Sequence, residues 1–104
     1  MAFFVYICKK SSVMKSIEEL EEYLKERGFT GTTYFNNPDF VDAIVGTTDE
    51  GNLIYDYDKM VESLKNSEKW DDEEAVEWIE YNTIRTIPYM GSFHPIISYS
   101  IENF

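Results

Sequence analysis

The 104-residue chain carries twenty Asp and Glu against nine Lys and Arg, a net charge of -11 at pH 7, with 43% hydrophobic and 16% aromatic residues. That length supports one domain, residues 1–104, burying roughly 60–70% of its unfolded surface, and the aromatic content excludes a disordered tail. The charge argues against direct contact with nucleic-acid phosphates or anionic membranes.

In chain order, the first run is AFFVYIC, Ala2 to Cys8. It lacks a preceding positive segment and falls short of the ~20 apolar residues of a membrane span, so neither a secretory signal nor a transmembrane helix is expected. Two readings of residues 1–13 stay open, an added edge strand or an upstream extension, with the core at 14–101. Cys8 is the single cysteine. One thiol excludes an intramolecular disulfide and a cysteine-based zinc site within one chain, and a reducing cytoplasm is the expected setting.

Ser16 and Glu19 form a capping box ahead of IEELEEYLKERG, which predicts a helix with Ile17, Leu20 and Leu24 inward and Gly28 as its stop. FTGTTYF is β-prone, and Asn36, Asn37 and Pro38 supply a turn. Ala43–Thr48 and Asn52–Tyr55 read as a hairpin around Asp49, Glu50 and Gly51. Asp56 caps a second helix with Tyr57, Met60, Val61 and Leu64 on one face, ending near Asn66 or Ser67. A third helix starts at Asp71 or Asp72, runs with Val76, Ile79, Thr83 and Ile87 on one face, and is stopped by Pro88. From Pro95 to Ile101, the alternation of Ile97, Tyr99 and Ile101 with Ser98 and Ser100 predicts a half-buried strand. The expected architecture is α+β, about three helices packed on a small, mostly antiparallel sheet.

Little in the chain points to chemistry. The acidic clusters lack the spacing of a calcium loop and suit turns and helix caps, so no metal site is expected. His94 has no nucleophile signature around it, and no glycine-rich phosphate loop is present, so neither catalytic residues nor a cofactor are expected. The third helix places Trp78, Asn82 and Arg85 at i, i+4 and i+7, with Tyr81 and Tyr89 nearby. Together with His94 these are the candidate binding residues. The competing reading is structural, with Asn82 and Arg85 fastening the helix to the tail through buried carbonyls or through Asp56 or Asp58.

The segments YFNNPDFVDAIVGTTDEGNLIYDYDKMVESL, EEAVEWIEYNTIRTIPYM and HPII resemble a family of small acidic proteins from Gram-positive gut bacteria, their prophages and mobile elements. YDYDKM and EYNTIRTIPYM are the most specific parts. The family has no assigned activity and brings no catalytic residues. Its members typically start where Met14 stands here. The resemblance implies phage or mobile-element biology. The functional expectation is a non-catalytic protein-interaction module, in its sharpest form a nucleic-acid-mimicking inhibitor of a host protein with a basic surface. The alternative is a ligand-binding or enzymatic domain with a pocket between the third helix and the tail. A homodimer formed through strand edges is compatible with either.

Overall fold

The computed structural model describes residues 16–36 and 38–101; residues 1–13, and with them the edge-strand reading, lie outside these. Helix α1 spans Ile17–Arg27. Its Ser16 hydroxyl accepts the Glu19 amide at 3.2 Å, and Gly28, at φ 77°, closes it in the left-handed conformation. The amides of Gly28 and Phe29 donate back to the carbonyls of Lys25 and Leu24, a Schellman closure that satisfies the last turn. Leu20 and Leu24 are buried while the glutamates between them face water.

After α1 the FTGTTYF segment is not a strand. Residues 29–35 join no ladder, because backbone amides there are taken elsewhere: that of Thr33 donates to the Phe93 carbonyl at 3.2 Å and that of Phe35 to the Tyr55 hydroxyl at 3.3 Å, while the Tyr34 hydroxyl donates to Glu21 and the Thr32 hydroxyl to the Gly51 carbonyl, each at 2.6 Å. A 3-10 turn at Val41–Ala43 leads into strand β1, Ile44–Thr47, and then β2, Leu53–Asp56. These pair antiparallel, with a register shift that leaves Val45 as the extra residue between Ile44 and Gly46. Such a bulge bends an edge strand and interrupts its ladder. The loop turns at Gly51, φ 101°, the positive-φ position expected of that glycine.

Helix α2, Tyr57–Glu68, is capped by Asp56, which accepts the Lys59 amide at 3.0 Å. Tyr55 before the cap and Met60 after it are both fully buried, as a hydrophobic staple requires. Helix α3, Asp72–Asn82, opens on a complete capping box between Asp71 and Glu74. Lys65 joins the two helices by an ion pair to Asp72 at 2.8 Å.

The end of α3 corrects the expectation. The α-helix stops at Asn82, and Pro88 lies inside a following 3-10 segment, Ile84–Tyr89. Pro88 therefore does not terminate the α-helix; the i→i+3 bond of Thr86 to Thr83 has already tightened the chain ahead of it, and that of Met90 to Ile87 continues the tight winding past it. Pro95 is fully buried, and the short strand β3, Ile96–Ser98, pairs parallel to β2.

The described residues thus form an α+β fold of three α-helices and a mixed three-stranded sheet, order β1-β2-β3. The four-residue strands pair antiparallel. Central strand β2 turns Leu53 and Tyr55 into a core shared with Leu20, Leu24, Phe40, Met60, Leu64 and Ile79, the alternation that a half-buried strand imposes. The expected half-buried strand to Ile101 is shorter than its pattern: Tyr99 and Ile101 are 54% and 79% exposed. Pairing ends at Ser98 because it is opposite Asp56, the last residue of β2 before the chain turns into α2.

Candidate interaction surface

The C-terminal stretch has a buried side and an outward side. On the buried side the organising residue is Asn52, 6% exposed. Its amide nitrogen donates to the carbonyls of Ser92 at 3.2 Å and His94 at 2.9 Å, while its side-chain oxygen accepts the Thr48 hydroxyl at 3.1 Å. Thr33 adds a second clamp, its hydroxyl within hydrogen-bond distance of the Met90 and Phe93 carbonyls and its amide donating to Phe93. Among the described residues no buried side-chain polar atom lacks a partner. His94 belongs to this junction: its Nδ1–H donates to the Pro95 carbonyl at 2.9 Å. That bond fixes the ring without any nucleophile or acid in the arrangement.

The fastening expected of Asn82 and Arg85 is not how the tail is held. The Asn82 amide donates back to the Trp78 carbonyl of its own helix at 3.2 Å, and the Arg85 guanidinium lies 5.3 Å from the centre of the Tyr81 ring. Asp56 is engaged in capping α2. The tail is tied instead to the hairpin loop by Asn52 and to the segment after α1 by Thr33, whose polar side chains beside a glycine turn and in a Thr-rich run gave only a faint signal in the sequence.

The six candidate residues spread over both sides. Trp78 is half-buried and packs with Trp70, ring centres 6.4 Å apart. Tyr81, Asn82, Arg85 and Tyr89 are exposed, Tyr81 by 62% and Tyr89 by 89%. Residues so exposed line a surface, whereas an enclosed ligand pocket buries most of its occupant. A shallow concavity of about 280 Å³ lies along α1 between Glu18, Glu21, Glu22 and Lys25; none of the six lines it. No group of three or more metal-ligating side chains occurs among the described residues, and none of their helices is long and apolar enough to cross a membrane.

Next to the predicted residues stands a cluster that periodicity did not indicate. Tyr57, in the first turn of α2, packs on Tyr99 with ring centres 5.0 Å apart and planes at 37°. Its hydroxyl donates to Glu80 of α3 at 3.2 Å. Burial first, and then the Glu80 carboxylate, push the Tyr57 phenol up to about 12; the same two causes raise Tyr99. Both rings are therefore neutral near pH 7, and the charge of the cluster resides on Glu80. Sequence reading placed Tyr99 on the buried face of a longer strand, and the contact joins residues far apart in the chain, so only the fold brings them together.

Comparison with protein-family models, with curated proteins and with solved structures gave no match to this chain.

Proposed function

We propose that the protein is a non-catalytic protein-interaction module of phage or mobile-element origin that works in the cytoplasm by docking on another protein with a basic surface. The observation that carries this reading is the exposed tyrosines of α3, the 3-10 segment and the tail: Tyr81, Tyr89 and Tyr99 are more than half exposed, with Arg85 over the Tyr81 ring and Glu80 close enough to act on Tyr99. Tyrosine and arginine are the residues that supply most binding energy at protein interfaces. The exposed acids of α1 and α3, Glu18, Glu21, Glu22, Glu73, Glu77 and Glu80 among them, add a long-range attraction for a cationic partner. In the sharpest form of the proposal these carboxylates occupy a groove that otherwise takes nucleic-acid phosphates.

The test is capture from cells carrying the parent element, with the full chain as bait, followed by binding to the purified partner at several salt concentrations and in competition with DNA. A basic partner whose affinity falls steeply with salt and which DNA displaces supports the inhibitor. A partner bound without salt dependence, or one indifferent to DNA, overturns the mimic. If every captured protein binds equally well to a chain carrying Tyr81→Ala, Tyr89→Ala and Tyr99→Ala together, the docking face is refuted.

A further inference from the structure

The cluster of Tyr57, Glu80 and Tyr99 joins the start of α2, the outer side of α3 and the end of β3. Each member is held by a different part of the fold. Tyr57 follows the Asp56 cap, Tyr99 follows the last residue of β3, and Glu80 accepts the Tyr57 hydroxyl. The rings are thus placed before any partner arrives, which reduces the ordering cost of binding. Tyr99 is 54% exposed and Glu80 faces solvent.

We propose that this cluster is a docking site for an arginine side chain carried on a basic segment of a protein partner. An aromatic face attracts a cation through its quadrupole, and a carboxylate at its rim can accept the N–H fork of a guanidinium. Arginine fits both because its charged group is planar and weakly hydrated, whereas the compact ammonium of lysine cannot stack in the same way. Among the described residues the aromatic half of this contact is made internally elsewhere, by Arg27 over Tyr23 at 4.9 Å and Arg85 over Tyr81 at 5.3 Å. The Tyr57–Tyr99 pair has the exposed ring and the carboxylate together. Asp58, close enough to act on the Tyr57 phenol, adds to the negative potential there. The net charge of -11 favours encounter with a basic segment.

This site deepens the interaction-module reading and rests on it. The experiment titrates the full chain with a tetra-arginine peptide, and separately with a tetra-lysine peptide, while following backbone and aromatic-ring resonances. Glu80→Gln, which keeps an acceptor for Tyr57, and Tyr99→Leu are the variants, each first checked for an unchanged amide spectrum elsewhere. The expected result is that the arginine peptide shifts Tyr57, Glu80 and Tyr99 before other residues, and that each variant weakens binding by roughly threefold to tenfold. The lysine peptide should bind more weakly. Shifts spread evenly over the acidic faces of α1 and α3, or equal affinity for Glu80→Gln, would overturn the site. Those results leave the interaction module standing if a captured partner still binds elsewhere; failure of partner capture alongside localised arginine binding would instead remove the module and keep the site.

Discussion

Around Gly51 and Asn52 polar groups are buried and matched to partners, whereas at Tyr81, Tyr89 and Tyr99 large aromatic rings face water. The two regions share one C-terminal stretch. At the first, carbonyls of Ser92 and His94 would lose water without replacement if Asn52 did not supply donors, so the side chain is fixed by the cost of an unmade bond. At the second, rings of residues such as Tyr89, 89% exposed, contribute little to burial, so stability does not explain them. A residue's polarity is thus a poor guide to its role in this molecule. The amide holds the fold together, and the aromatics are what remain available to a partner.

The contrast can be broken most forcefully at Asn52. Asn52→Ala removes the donors to two part-buried carbonyls and the acceptor of the Thr48 hydroxyl proton, and a loss of about 1–3 kcal/mol in urea unfolding is expected; a change near zero would mean that water replaces the amide and the junction is not what holds the tail. Gly51→Ala should come next. Its backbone sits at φ 101°, and an added Cβ would lie 2.9 Å from the Phe29 ring, so about 1–3 kcal/mol should be lost, measured by the same unfolding curve.

On the aromatic side, alkaline pH provides a graded probe. The Tyr57 phenol is held up to about 12, first by burial and then by Glu80, above its unfolded value of ~10. The folded state therefore keeps that proton more tightly, and the associated stability is fully present below pH ~10 and is lost as pH rises towards about 12. Tyr57→Phe should show a smaller fall in its urea midpoint between pH 9 and 12 than the parent chain; an identical fall would assign the alkaline loss to Tyr55, whose phenol burial raises further. The smallest effect is expected at Tyr89. Tyr89→Ala should move stability by less than about 0.5 kcal/mol while weakening partner binding, and the reverse outcome would make the ring structural.

Local features of the fold were legible in the residues. Ser16, Asp56 and Asp71 each cap the helix they precede, Gly28 closes α1, and Gly51 turns the hairpin, because caps and turns depend on side chains within a few positions of the backbone groups they serve. Legibility fell where distant partners decide. FTGTTYF has strand propensity, yet Thr32 and Thr33 bond to the Gly51 loop and to residues 90–93 instead of to a neighbouring strand. The alternation from Ile97 to Ile101 suggested a longer strand, but its neighbour β2 ends at Asp56. The i, i+4, i+7 spacing of Trp78, Asn82 and Arg85 assumed a helix that continues to Arg85, and the backbone tightens after Asn82. Pairing of Tyr57 with Tyr99 depends wholly on the parallel registration of β2 and β3.

That registration has a kinetic consequence. The Ser98 hydroxyl meets the Tyr55 carbonyl across a separation of 43 residues, while the hairpin and all three capped helices close through short-range bonds. Helices and hairpins form within microseconds, and joining ends far apart in the chain must be bought with loop entropy. Refolding is expected to assemble the hairpin and helices early and to dock Pro95 to Ser98 last, so that until the tail arrives β2 is an open edge and Tyr57 waits without its neighbour.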